Sequence, residues 1–461
     1  VRSYEVKFWA IRPGKARSRR TYEVRWKVGH KPHSRTLSTK AQAESFLSDL
    51  RQAARSGQAF DTDTGLPGSM MPTSQVRSWL AFCLAYVDMK WPSAAPKTRD
   101  SLTDALAAIV PAVVAEELPD WLDIVQLRGA LRHYALAPVS RVLDRPPEVA
   151  MAIRWLEKNS LPVSEVGKPA IARSVLDAIT LRQDGRIASA TTIARKRSVF
   201  ANVLRYAVEL EELPADPLAR LSWKPPKVSE TVDRRVVVNP RQARELLSAV
   251  TYVGHRGRGQ RSRGQRLMAL YACMYFAALR PAEAVALRQQ DCYLPETGWG
   301  RLTLETSRPE VNRRWTDTAS AHEERGLKHR PAQESRRVPI PPELVRTLRA
   351  HVGNFGVTGD GRIFSSERGH VISSTAISDV WAEARTLALT PEQVASPLAG
   401  RSYDLRHAAV SLWLNAGVPA PEVAERAGHS VEVLLRVYAK CLDDGQDLAN
   451  ARIEAALQLH R

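Results

Sequence analysis

The sequence predicts a multidomain, mainly α-helical protein: a small α+β amino-terminal domain, a helical middle domain, and a mainly helical carboxy-terminal domain with a small antiparallel sheet. Three observations predict it. At 461 residues the chain exceeds what one hydrophobic core usually organises. Within the first forty positions apolar residues alternate, as in Tyr22, Val24, Trp26 and Val28, the two-residue period of strands with one buried face. From Thr73 onward the period lengthens to that of helices.

Taken in order, residues 4–10 and 21–28 read as strands, residues 35–37 as a third, and Thr39 opens a helix. Ala43, Phe46, Leu47 and Leu50 of that helix pack on the sheet, so Lys7, Arg25 and Lys27 fall on the opposite face. The amino-terminal domain is thus placed at 1–55. Residues 56–72, rich in Gly, Ser, Thr, Asp and Pro, are expected as a linker. In the middle domain, 73–223, Val76, Trp79, Leu80, Cys83, Leu84 and Val87 recur at helical spacing. A second helix near Thr191 turns Ile193, Val199, Phe200, Val203, Leu204 and Ala207 inward, and its first turns hold Arg195, Lys196 and Arg197. Residues 224–235, opening on Lys-Pro-Pro-Lys, form a charged connection, and 236–461 make the last domain.

Charge narrows the partner. Lys and Arg number 67 against 49 Asp and Glu, a formal +18, and the first forty residues alone hold twelve Lys or Arg against Glu5 and Glu23. A polyanion is implied, either nucleic acid or an anionic membrane surface. The longest apolar run, 267–279, is too short to span a bilayer and ends at Arg280, which disfavours a membrane. DNA is therefore the expected partner, met by Lys7, Arg25 and Lys27 from the sheet and by Arg195, Lys196 and Arg197 from the middle helix. Cys83, Cys273, Cys292 and Cys441 lack paired spacing, so no metal site, cofactor or disulfide framework is expected. With no signal-peptide pattern either, a cytoplasmic, nucleoid-associated protein is expected.

The carboxy-terminal domain concentrates reactive side chains. YACMYFAALRPAEAVALR places Arg280 between an apolar helix and Pro281, with Glu283 three positions on. RLTLETS and RRVPIP read as two strands, and the polar excursion between them contains Lys328. In RSYDLRHAAVSLWLNAGV, Arg406 lies near the start of a helix, where an anion is favoured. PEVAERAGHSVEVLLRVYAK holds a Gly-His turn at His429, nine positions before Tyr438.

The order and spacing of these elements resemble the catalytic domain of the tyrosine recombinases, the phage-integrase family of site-specific DNA recombinases. The resemblance covers residues 224–461 well, and it assigns a catalytic set: Arg280, Lys328, Tyr403, Arg406, His429 and Tyr438, supported by Glu283 and His407. Tyr403 departs from the pattern, standing where the family usually has His. The middle domain resembles a core-site-binding domain and the basic sheet an arm-site-binding one, which implies an integrase of a mobile element. The resemblance further implies a 3′-phosphotyrosyl intermediate at Tyr438, a Holliday junction, a homotetramer on double-stranded attachment sites, and accessory DNA-bending and directionality proteins. A terminal helix over 447–461, with Leu448, Ile453, Ala456 and Leu457, is expected to dock on a neighbouring subunit. A type IB topoisomerase-like DNA-relaxing enzyme is the alternative that keeps this chemistry; a non-catalytic DNA-binding relative is the one that discards it.

The residue types suit the reaction. A phosphodiester repels nucleophiles, and two guanidinium forks neutralise its non-bridging oxygens with a geometry lysine cannot copy. A phenol of ordinary pKa near ~10 must lose its proton in the attack, for which His429 is the assisting group nearest in sequence. The leaving 5′ oxygen needs a proton, for which Lys328 is the donor the resemblance implies. Because the ester is retained, rejoining needs neither ATP nor a metal.

Overall fold

A computed structural model of the chain describes residues 2–13, 21–70, 77–182, 185–228, 230–254, 263–328, 334–438 and 441, and near the end 450, 451, 453–455 and 457. Val76, Leu448 and Ala456, expected to pack in helices, lie outside the described residues. Among those described, no helix is long and apolar enough to cross a membrane.

The amino-terminal region contains β1 (Arg2–Ser3), β2 (Val6–Phe8), β3 (Arg12–Pro13), β4 (Tyr22–Val28), β5 (Lys31–Leu37), α1 (Lys40–Arg55) and β6 (Phe60–Asp61). β4 is central: β5 pairs along one edge, while β2 and β3 share the other, all antiparallel. Val24, Trp26 and Val28 are buried against Ala43, Phe46, Leu47 and Leu50 of α1, as their alternation requires. Lys7 and Lys27 are cross-strand partners on the other face, and the Arg25 guanidinium lies 5.2 Å over Trp9. The third strand is longer than expected, because β4 and β5 stay paired from Tyr22↔Leu37 to Val28↔Lys31. The expected linker also needs correction. Phe60 is fully buried in this cluster, Leu66 and Met70 pack against it, and the Trp26 indole N–H donates to the Gly65 carbonyl.

The middle region is all helical: α2 (Trp79–Lys90), α3 (Pro96–Ile109), α4 (Ile124–Ala130), α5 (Pro147–Asn159), α6 (Val163–Val166), α7 (Pro169–Thr180) and α8 (Ala190–Glu209). Ser78 and Ser189 cap α2 and α8 through their side chains. Trp79, Phe82, Phe200, Val203 and Leu204 form the centre of one apolar core. Adjacent cations on α8 diverge, as a 3.6-residue period dictates. Arg195 pairs with Asp104 of α3 at 2.7 Å, while Arg197 lies 5.7 Å over the Trp223 ring. Lys196 is only 7% exposed, so the expectation that it meets DNA is corrected: the long apolar stem is drawn into the α3–α8 seam.

The carboxy-terminal region runs α9 (Pro240–Val250), α10 (Arg263–Phe276), α11 (Pro281–Ala284), β7 (Cys292–Tyr293), β8 (Gly300–Leu304), β9 (Thr306–Ser307), β10 (Arg325–Gly326), β11 (Arg336–Ile340), α12 (Pro342–Phe355), α13 (Ser374–Ala388), α14 (Pro391–Ala395), α15 (Asp404–Asn415), α16 (Ala420–Ala427) and α17 (Val431–Tyr438). β11, β8 and β7 form an antiparallel sheet in that order, and β9 pairs with β10 in a separate short ladder. α10 is buried on nearly every side, which explains its continuous apolar run without a membrane. It packs against α9, α12 and α15 and delivers the chain to Arg280.

Candidate active site

Arg280 follows a strained turn. Ala278 is fully buried with φ of 50°, a left-handed conformation that a non-glycine residue adopts at a cost, and it redirects the chain at the end of α10. Arg280 then caps α11. Its backbone N–H and Nη1 donate to the two oxygens of Glu283 at 2.8 and 2.7 Å, and Nη2 donates to the Gly428 carbonyl at 2.8 Å. Glu283, 1% exposed, also receives both terminal nitrogens of Arg336 at 3.0 and 2.7 Å. Burial alone would push the Glu283 carboxyl up; Arg336, Arg280 and Arg406 outweigh it and hold the group at about 2.

Arg406, in the first turn of α15, is completely buried. Nη1 donates to the Ala278 carbonyl, and Nη2 to the Ala427 carbonyl at 2.5 Å and to His429 Nε2 at 2.8 Å. A guanidinium has no acceptor, so Nε2 must be the acceptor and the proton of a neutral imidazole sits on Nδ1. Burial, then Arg406, Arg280 and Arg336, push His429 down to about 3, so the ring is neutral at pH 7. Its Nδ1 is buried with no hydrogen-bond partner among the described residues, a donor in reserve.

The Gly-His turn is dictated by space. Gly428 has φ of +66° at the carboxy-terminal cap of α16, and a Cβ there would stand 3.3 Å from Arg280 Nη1 and closer still to Arg336 Nη1. Only glycine lets the two guanidiniums approach this backbone.

Tyr438 closes α17 at 1% exposure. Its hydroxyl shares a 2.9 Å hydrogen bond with His407 Nδ1, and its ring stacks on His429 with centroids 6.2 Å apart. Burial raises the Tyr438 pKa well above the ordinary phenol value, and burial followed by Arg406 pushes His407 down to about 4. Tyr403 stands edge-on to His407 at 5.1 Å.

Arg280, Lys328, Glu334, Tyr403, Gly428 and His429, with Ser430 and Val433, line a cavity of about 660 Å³. Tyr438 lies one ring behind its wall, on the far side of His429. Lys328 also lines an adjoining cleft of about 950 Å³, whose other walls are α2, α3 and α8 with Lys90, Lys97, Arg195 and Asn202.

Several solved structures are similar to this chain. The Tn1549 transposon integrase in complex with transposon right end DNA shares 15% identity over 72% of this chain and 98% of its own, with a TM-score of 0.46. The XerH site-specific recombinase bound to difH substrate shares 12% over 81% and 94%, with a TM-score of 0.47. The Lambda integrase bound to DNA shares 12% over 73% and 93%, with a TM-score of 0.39. No protein-family model matches the sequence, and no curated protein matches it either.

The structure thus gathers Arg280, Glu283, Tyr403, Arg406, His407, His429 and Tyr438 at one place and brings Lys328 to its rim. Lys7, Arg25 and Lys27 belong to the amino-terminal sheet instead. Sequence reasoning missed Arg336. A signal existed: Arg336, Val338 and Ile340 share the inward face of β11, and an arginine at such a position demands a buried acid. With Arg280, Arg336 and Arg406 set against Glu283, the cluster is left net positive and shaped to hold an anion.

Proposed function

We propose that this chain is a tyrosine-type site-specific DNA recombinase, an integrase of a mobile element. One observation carries the reading: Arg280, Arg406, His429 and Tyr438, drawn from four separate segments, cluster at one electropositive cavity, with Arg280 and His429 on its wall and Arg406 and Tyr438 directly behind. A backbone phosphate entering it meets the Arg280 guanidinium on the wall and the positive charge of Arg406 behind it, and His429 Nδ1–H is the donor left to take one of its oxygens. To attack, the Tyr438 side chain must leave its place behind His429 and its bond to His407. Its oxygen forms the new bond to phosphorus as the bond to the 5′ oxygen breaks. The phenolic proton passes to His407 Nδ1, which already shares a hydrogen bond with the hydroxyl, and the 5′ oxygen takes a proton from Lys328. Reversal by a different 5′-hydroxyl exchanges strands, and a second exchange resolves the Holliday junction.

Support for a DNA duplex as substrate comes from the cleft beside the cavity, bounded by Lys90, Lys97 and Arg195 and joined to it at Lys328. The amino-terminal sheet, with Lys7, Arg25 and Lys27 on its solvent face, fits a second, distant arm site. Ile453 and Leu457 are 57% and 68% exposed, which suits docking of the terminal helix on a neighbouring subunit in a homotetramer. Accessory DNA-bending and directionality proteins complete the reading.

The test is covalent capture on a nicked DNA duplex carrying a selected attachment site, with the linked residue mapped. The unaltered chain should form a 3′-phosphotyrosyl product at Tyr438, and Tyr438→Phe should bind the site and form none. Equal capture by Tyr438→Phe would remove this tyrosine from the mechanism.

A further inference from the structure

The excursion between β9 and β10 belongs by sequence to the carboxy-terminal region but is anchored in the middle one. Its short 3-10 turn (Arg313–Trp315) inserts Trp315, 2% exposed, into the apolar core built by α2 to α8, beside Trp91 at 6.2 Å. Arg99 of α3, 3% exposed, closes over the insertion. It donates from Nε to the Trp91 carbonyl at 3.0 Å, from Nη1 to the Trp315 carbonyl at 3.0 Å, and through both terminal nitrogens to Asp317 at 2.8 and 3.0 Å. Its plane also lies 4.8 Å over the Trp91 ring. A guanidinium is buried at great cost unless its donors are met, so this joint favours one arrangement over a continuum.

The base of the excursion is equally fixed. Glu324 receives Arg308 at 2.7 Å and Arg288 at 2.8 Å, Glu310 and His322 pair in an isolated antiparallel bridge, and the Arg308 N–H donates to the Ala282 carbonyl at 2.8 Å. β10 begins at the next residue, Arg325, and Lys328 follows it. A rigid lever therefore runs from the Trp315 anchor to Lys328. The helix that holds its far end, α3, itself lines the DNA cleft with Lys97 and Ser101.

We infer that Arg99, Trp315 and Asp317 are positioning residues for Lys328: the middle region, on gripping DNA, sets where the ammonium stands relative to the leaving 5′ oxygen. The inference rests on the strand-transfer reading above. In the step concerned, the phosphorus–O5′ bond breaks and that oxygen takes a proton from Lys328 Nζ. A sulfur in place of O5′ leaves as a thiolate and needs no proton, so its departure is indifferent to where Lys328 lies.

The experiment uses the full chain and two nicked duplexes carrying a site selected from random DNA, one ordinary and one with a 5′-bridging phosphorothiolate. Trp315→Phe disturbs the anchor, and Asp317→Ala, at a side chain 66% exposed, removes the carboxylate that pairs with Arg99 without opening the core. Each variant should bind both duplexes as the unaltered chain does. Each should cleave the ordinary duplex ~100-fold more slowly, the cost of misplacing a reacting group by about an ångström, yet cleave the phosphorothiolate within ~3-fold. Lys328→Ala should show the same split. Equal losses on both duplexes, or no loss from Asp317→Ala on either, would overturn the inference and leave strand transfer standing. No covalent product from the unaltered chain on either duplex would overturn both.

Discussion

Glu283→Gln removes the single negative charge that holds two of the three clustered arginines, Arg280 and Arg336. The carboxylate accepts two bonds from Arg280 and two from Arg336. A carboxamide offers one oxygen and turns an NH₂ toward the guanidiniums, so part of this set is lost and buried positive charge goes uncompensated. Breaking a buried pair in this way costs ~3–5 kcal/mol. The depressed carboxyl gives a figure of the same order from the same contacts. A folded value of about 2 against an ordinary 4.5 corresponds to ~3 kcal/mol of stability. The folded value is the lower one, so this stability is fully present above about pH 4.5 and is lost as pH falls through about 2. About 2 kcal/mol of it should be gone by about pH 3. The assay is hydrogen exchange in urea, read on peptides from α11 and β11, for both proteins between about pH 7 and about pH 3. The gap between them should be large at neutral pH and narrow on acidification. A gap under ~1 kcal/mol, or one that does not change with pH, would refute the reasoning.

Three further outcomes rest on the same geometry. Gly428→Ala places a Cβ against the Arg280 and Arg336 guanidiniums at a positive φ; unfolding should show a loss of ~1–3 kcal/mol, and covalent capture should fall with it. Arg406→Lys cannot serve the Ala278 and Ala427 carbonyls and His429 together, and single-turnover cleavage should drop ~100- to 1000-fold while site binding persists. Lys7→Ala and Lys27→Ala, on the solvent face of the first sheet, should each lower the slope of log binding constant against log salt for arm-site DNA by ~1 and leave cleavage of a core site unchanged.

Much of the fold and site was legible in the sequence because local patterns fix it. The alternation at Val24, Trp26 and Val28 identified the buried face of β4, and the spacing of Phe200, Val203 and Leu204 identified that of α8. Arg280 with Glu283, Arg406, His429 and Tyr438 stood out through their surroundings in the chain, and they lie together. What stayed hidden depends on distance. The Trp315 carbonyl and Arg99 are 216 positions apart, and no periodicity in either segment signals the other. Phe60 reads as part of a Gly- and Ser-rich linker, yet its burial is decided by a sheet already formed. Lys196 looks like one of three equivalent cations until the angle of about 100° per residue sends it into the α3 seam.

Buried arginines occur both in the cluster around Glu283 and His429 and at the joint around Trp315, so burial alone does not separate candidate site from scaffold. The difference lies in what their surroundings leave over. Arg99 commits all three of its nitrogens to carbonyl and carboxylate oxygens within the fold, which makes it a strut. Around Arg406 donors remain unmatched: its Nε and the Nδ1 of His429 have no partner among the described residues. An orphan donor is not decisive either, since Arg128 and Arg362 each hold one. His429 differs because it lines a cavity whose neighbouring charges are mostly positive. Leaving such a donor unmet costs roughly 1–3 kcal/mol, a cost that the oxygen of an entering anion would remove. The resting fold therefore holds part of the free energy with which the cavity would grip an anion.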